Sequence, residues 1–142
     1  MKRQVSSVCA AFVLIAAFGA VTAPAQSSAR WQANIPFEFI VLGKTLPAGK
    51  YTMSTVSAID PSVIAVRNAH SCAHAWTQGA DAKESDGTNK LVFNRYGDKY
   101  FLSQIRDHDG RVARYLPKSK LERELIAGNG TSSVVTVAFG SR

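Results

Sequence analysis

Two strand-like runs held apart by only two turn-forming residues constrain this chain more than any other feature. Leu91-Val92-Phe93-Asn94-Arg95-Tyr96 and Lys99-Tyr100-Phe101-Leu102-Ser103-Gln104-Ile105 flank Gly97-Asp98. A two-residue loop with glycine first suits a type II′ turn, whose twist matches that of antiparallel strands. The loop length then fixes the register, so Phe93 faces Leu102 and Arg95 faces Tyr100.

The rest of the chain repeats the pattern in shorter pieces. Ile35, Phe37, Phe39 and Val41 recur at period two and predict one strand over 35–41 with a single apolar face. Pro36 cannot donate to a ladder, which puts that end at an edge or a strand start. A turn over Gly43–Gly49 leads to weak alternation from Tyr51 to Val56. A β-branched run, Val63-Ile64-Ala65-Val66, follows Asp60-Pro61, and a further strand is expected over Cys72–Gln78. Gly79–Asn89 is polar and turn-rich, the composition of a mobile loop. Asp107-His108-Asp109-Gly110 turns the chain into Val112–Leu116, and Val134–Phe139 is the last strand. One helix interrupts them. Ser119 and Glu122 form a capping box, Leu121, Leu125 and Ile126 an apolar stripe, and Gly128 a C′ stop. About eight short strands and one short helix near the C-terminus predict an all-β, mainly antiparallel fold, a small β-barrel or a β-sandwich.

The N-terminus has the three parts of a cleavable secretory signal. Lys2 and Arg3 precede an almost purely apolar run from Val8 to Val21, and Ala23-Pro24-Ala25 predicts cleavage before Gln26. The run is shorter than the ~20 residues a transmembrane helix needs, and no other stretch qualifies. The sequence therefore divides into a signal over 1–25, a short leader over 26–33 and a single β domain over 34–142. The expected location is periplasmic or extracellular. With Lys2 and Arg3 removed, 15 basic residues face 10 acidic ones, a net charge of +5. Cys9 leaves with the signal, and Cys72 alone cannot make an internal disulfide. A basic exported domain meets envelope polyanions, such as anionic head groups, lipopolysaccharide or acidic polysaccharide, and not nucleic acid.

Three sets of residues invite a chemical reading. His70, Cys72 and His74 lie at i, i+2 and i+4, and nitrogen and sulfur ligands on one strand face suit zinc or copper. Asn68-Ala69-His70-Ser71 reads as a turn, however, which takes His70 out of line, so neither a metal nor a cofactor is expected. Asp107-His108-Asp109 is what a hairpin turn requires, and Glu38 falls on the solvated side of its strand. Arg106, Arg111, Arg114, Lys118, Lys120 and Arg123 form a basic cluster against Asp107, Asp109 and Glu122. It is the candidate site for a polyanion. Lys120 and Arg123 are three apart on the helix and share a face. Tyr96, Tyr100 and Tyr115 nearby would add stacking surfaces. No phosphate-binding glycine loop, dinucleotide fingerprint, zinc-protease string or nucleophile elbow occurs in the chain.

Ile35-Pro36-Phe37-Glu38-Phe39 with Gly43-Lys44-Thr45-Leu46-Pro47-Ala48-Gly49-Lys50-Tyr51, the segment from Leu91 to Leu102, and Leu116-Pro117-Lys118-Ser119 with Glu122-Arg123-Glu124-Leu125 are spread over residues 35–125 of the chain. Together they resemble a family of small exported bacterial proteins of unassigned function. The resemblance implies a small exported β-protein and carries over no catalytic or binding residue. The expected function is a non-catalytic envelope module that binds an envelope partner or small ligand. The alternatives are a structural or stress-related envelope protein without a ligand, and a metal-dependent enzyme using His74.

Overall fold

A computed structural model describes residues 30–57, 59–81, 88–107, 112–128 and 130–141. The segments expected to be a signal and the start of a leader, residues 1–29, lie outside the described residues, as do His108–Arg111 and residues 82–87 of the polar stretch. In chain order the elements are β1 (Arg30–Ile35), β2 (Phe39–Val41), β3 (Lys44–Leu46), β4 (Gly49–Thr55), β5 (Val63–Arg67), β6 (Cys72–Trp76), β7 (Gln78–Asp81), β8 (Lys90–Tyr96), β9 (Lys99–Arg106), β10 (Val112–Tyr115), α1 (Lys120–Ala127) and β11 (Ser132–Ser141). Among the described residues the fold is all-β with one short helix. A single sheet in the order β3-β2-β9-β8-β11-β1-β4-β5-β6 nearly closes into a barrel.

The closure comes from a bent strand. Only Thr77 separates β6 from β7, so one continuous run pairs with β5 on one half and with β10 on the other. Thr77 is buried, and both its N–H and its hydroxyl donate to the Ser62 carbonyl, each at 2.7 Å. β10 returns to β9 and completes the circuit at that end. Toward the other end the β2–β3 hairpin lies beside β9. Ile40 pairs there with Phe101 in parallel, and Lys44 Nζ donates to the Cys72 carbonyl at 2.5 Å across the seam.

Strand alternation puts large side chains inside. Trp31, Ala33 and Ile35 point inward from β1 while Arg30, Gln32 and Asn34 point out. Tyr51, Met53, Ile64, Val66, Leu91, Phe93 and Ile105 fill the interior with Phe39 and Leu46. Phe39 meets Tyr51 and Phe93 edge-on at 5.0 and 5.6 Å. The Trp31 indole N–H donates to Asp107 Oδ2 at 2.9 Å, tying β1 to the end of β9. A barrel this small is filled by its own side chains.

The β8–β9 hairpin has the register that its loop length dictates. Phe93 faces Leu102, Arg95 faces Tyr100, and Gly97 takes φ +62° at the first turn position. Ser103 is an extra residue opposite the Val92–Phe93 step, and its carbonyl accepts from the Leu116 N–H at 2.8 Å. This bulge therefore anchors the chain as it leaves β10.

Three expectations are corrected. The strand over 35–41 is two strands, because the chain breaks at Pro36 and Phe37 turns aside to stack on Tyr100 with centroids 4.0 Å apart. Residues 30–33 are no leader, since the alternation of Trp31, Ala33 and Ile35 continues a strand into the core. The polar stretch after Trp76 begins as a strand, with Gly79 facing Arg114 across the β7–β10 pair.

The helix is corrected as well. Ser119 caps it, its hydroxyl accepting the Glu122 N–H at 3.2 Å. Glu122 does not reach back to the cap. It is buried and accepts a hydrogen bond from Asn94 Nδ2 at 3.0 Å. α1 lies on the outside of the barrel, with Leu125 against Ile40, Tyr96 and Phe101. Asn94 shares a cross-strand row with Phe101 and needs a partner under the helix. That need turns Glu122 and Leu125 inward and leaves Leu121 and Ile126 each 38% exposed. Gly128 stops the helix at φ −79°, outside the left-handed region. The close approach falls at Gly130, where a Cβ would stand 2.7 Å from the Leu125 carbonyl oxygen.

Candidate functional site

The basic residues of the 106–123 segment do not gather into one strip. Arg106 Nε donates to Gln104 Oε1 at 3.1 Å, and Arg114 Nη1 donates to the Pro61 carbonyl at 2.6 Å. Lys120 Nζ stands 3.8 Å from a Glu124 carboxylate oxygen. Lys118 and Arg123 are exposed, and Arg111 lies outside the described residues. α1 packs over Phe101, whereas Arg106 lies five residues further along β9, a strand length of about 17 Å. The cluster is thus two groups on different parts of the barrel.

Two of the three tyrosines beside it have other work, and Tyr115 is exposed. Tyr96 is buried against Phe101, and Tyr100 stacks on Phe37 under the Arg95 guanidinium. Burial pushes the Tyr96 phenol above its ordinary value, and the negative Glu122 carboxylate adds to the effect.

His70 lies in the β5–β6 turn. The Asn68 side-chain oxygen accepts the N–H groups of His70 and Ser71 at 2.9 and 2.5 Å, and Asn68 N–H donates to the Ser71 carbonyl at 2.9 Å. Ala73 and Ala75 point into the core, so Cys72, His74 and Trp76 share the outer face of β6. Among the described residues no three His, Cys, Asp or Glu side chains come together as a metal site.

The surface with an evident chemical character is the outer face of β1, β4, β5 and β6. Register sets its side chains in rows. Asn34 faces Lys50; Gln32 faces Thr52, then Arg67, then Cys72; Arg30 faces Ser54, then Ala65, then His74; Val63 faces Trp76. These positions hold three permanent cations and no acidic residue. Lys50 and Arg67, with Gln32, Asn34, Thr52 and Asn68, line a groove of about 560 Å³. Neither cation has a hydrogen-bond or ion-pair partner among the described residues. Below the groove Tyr51 donates its hydroxyl to the Pro47 carbonyl at 2.7 Å, and burial raises its pKa, so the floor is neutral. Two free cations amid amides and a hydroxyl are donors suited to carboxylate, sulfate or phosphate oxygens.

Sequence reasoning passed over this face because its residues come from segments far apart in the chain. Each strand's polar positions look like an ordinary solvated side. The signal was there in one respect, that the outward residues of all four strands lack a single acid. Period-two spacing alone puts Cys72, His74 and Trp76 on one face of a strand, but does not supply the neighbours that give the face its charge. The chain has no significant match among protein-family models, curated proteins or solved structures.

Proposed function

We propose that this chain is an exported, non-catalytic envelope protein that binds an anionic partner on the outside of its barrel. The basic, apolar and small-residue order of the first 25 residues supports export, as does the resemblance to small exported β-proteins. The barrel interior is occupied by side chains, which leaves the surface for a partner. One observation carries the reading: a four-strand face with three cations and no acid, on which Lys50 and Arg67 line a groove. The net charge of +5 after signal removal acts in the same direction, drawing polyanions toward the protein.

The test is retention of the mature protein on heparin at low salt, with Lys50→Glu/Arg67→Glu compared with Lys118→Glu/Lys120→Glu/Arg123→Glu. Wild type should be held and should release as salt shortens the Debye length to about 8 Å. The groove variant should elute early. If it elutes with wild type while the helix variant elutes early, the site is the helix. If wild type is not retained at all, the anion-binding function is wrong and a structural role without a ligand replaces it.

A further inference from the structure

The same face carries an aromatic side chain that charge alone does not explain. Trp76 is 66% exposed at the outer end of β6, although a tryptophan has much apolar surface to hide. The other tryptophan, Trp31, is 3% exposed in the core. Trp76 lies on the face that holds Arg67, separated from the Arg67–Cys72 row by four residues of strand, or about 13 Å. His74 stands between them, and Ala65, opposite it, gives that row a low floor. The Lys50–Asn34 row lies beyond Arg67. The face therefore runs from an indole plane, past an imidazole, to two cations flanked by amides.

That order of groups matches one kind of polyanion. A vesicle surface or a simple polycarboxylate offers charge without a ring for the indole. A linear acidic polysaccharide offers both. The C–H faces of its sugar rings stack on an exposed aromatic plane, its carboxylates take bidentate hydrogen bonds from a guanidinium, and its hydroxyls pair with amides. The distance from Trp76 to the cations exceeds one sugar ring, so the occupant is a chain and not a monosaccharide. We infer that the outer face of β1, β4, β5 and β6 binds a linear uronate-type polysaccharide, with Trp76 stacking on one sugar and Arg67 and Lys50 holding the carboxylate of another. The inference rests on the anion-binding function proposed above and names its partner.

Tryptophan fluorescence of the mature protein tests it, because only Trp76 is open to solvent and its substitution at an exposed site leaves the core intact. The probes are polygalacturonate, polyglutamate as a carboxylate polymer without sugar rings, and vesicles containing phosphatidylglycerol. Polygalacturonate should shift the emission to the blue and protect it from acrylamide. Measured by affinity electrophoresis, Trp76→Ala should weaken polygalacturonate binding on the order of tenfold and leave polyglutamate binding unchanged. Arg67→Glu should weaken both. Equal polygalacturonate binding by wild type and Trp76→Ala overturns the polysaccharide inference and leaves general anion binding standing. Binding to the vesicles but not to polygalacturonate overturns it in favour of a lipid surface. Failure to bind any of the three overturns the anion-binding function itself.

Discussion

At Leu42 the backbone takes φ +47°, and Gly43 follows at +89°. Two successive positive values make the β2–β3 connection a type I′ turn, the kind that asparagine followed by glycine favours. A leucine there brings Cβ against the following carbonyl at a cost of about 1–2 kcal/mol. Leu42→Asn should therefore raise the unfolding free energy by about 1 kcal/mol in urea titration; an unchanged or lower midpoint would contradict the turn. The sequence marked a turn only from Gly43 onward, because leucine carries no signal for this conformation. Two phenols carry a second expectation. Tyr51 and Tyr96 are both raised above the ordinary 10.0, chiefly by burial. The folded state then holds these protons more tightly than the unfolded chain does. Their stabilisation is complete below the unfolded value and is lost as pH rises through the folded one. Unfolding free energy should fall above about pH 10, and less steeply in Tyr96→Phe, when followed by circular dichroism.

Elements with strong local punctuation were legible. The Gly97-Asp98 turn determined which residues face each other across β8 and β9, and Ser119 determined where α1 begins. What the helix touches was not legible. Its apolar periodicity pointed to Leu121, Leu125 and Ile126, while a polar residue on a distant strand, Asn94, draws Glu122 under the helix. A carboxylate in the buried position looks like a capping residue until Asn94 is known to lie beneath it. Glu122→Ala should cost about 1–3 kcal/mol, because it leaves the half-buried Asn94 amide without its acceptor. Leu121→Ala, on the exposed side, should stay within about 0.5 kcal/mol. Thermal melts of the two variants separate these faces, and the reverse order would mean that the apolar stripe packs after all.

At the scale of the molecule, the all-β class followed from short runs and turns, whereas the choice between barrel and sandwich did not. That choice depends on Thr77, where one strand bends from β5 toward β10, and on the β2–β3 hairpin alongside β9. Both are pairings between segments far apart in sequence, which periodicity does not record. The cationic face was hidden for the same reason, since Gln32, Thr52 and Arg67 become neighbours only through register. Processing is the expectation that belongs to the whole chain: N-terminal sequencing of the exported protein should begin at Gln26, and recovery of the intact chain from the membrane would overturn it. The pairing of β1 with β11 has a consequence for how such a protein is made. β11 stands between β1 and β8, so β1 waits for a strand some hundred residues later, with Trp31 facing Ser141. The barrel cannot close until β11 has been made, and contacts between such distant segments make folding slow. Until β11 joins them, β1 and β8 each keep an open edge, where a strand of another chain can pair instead.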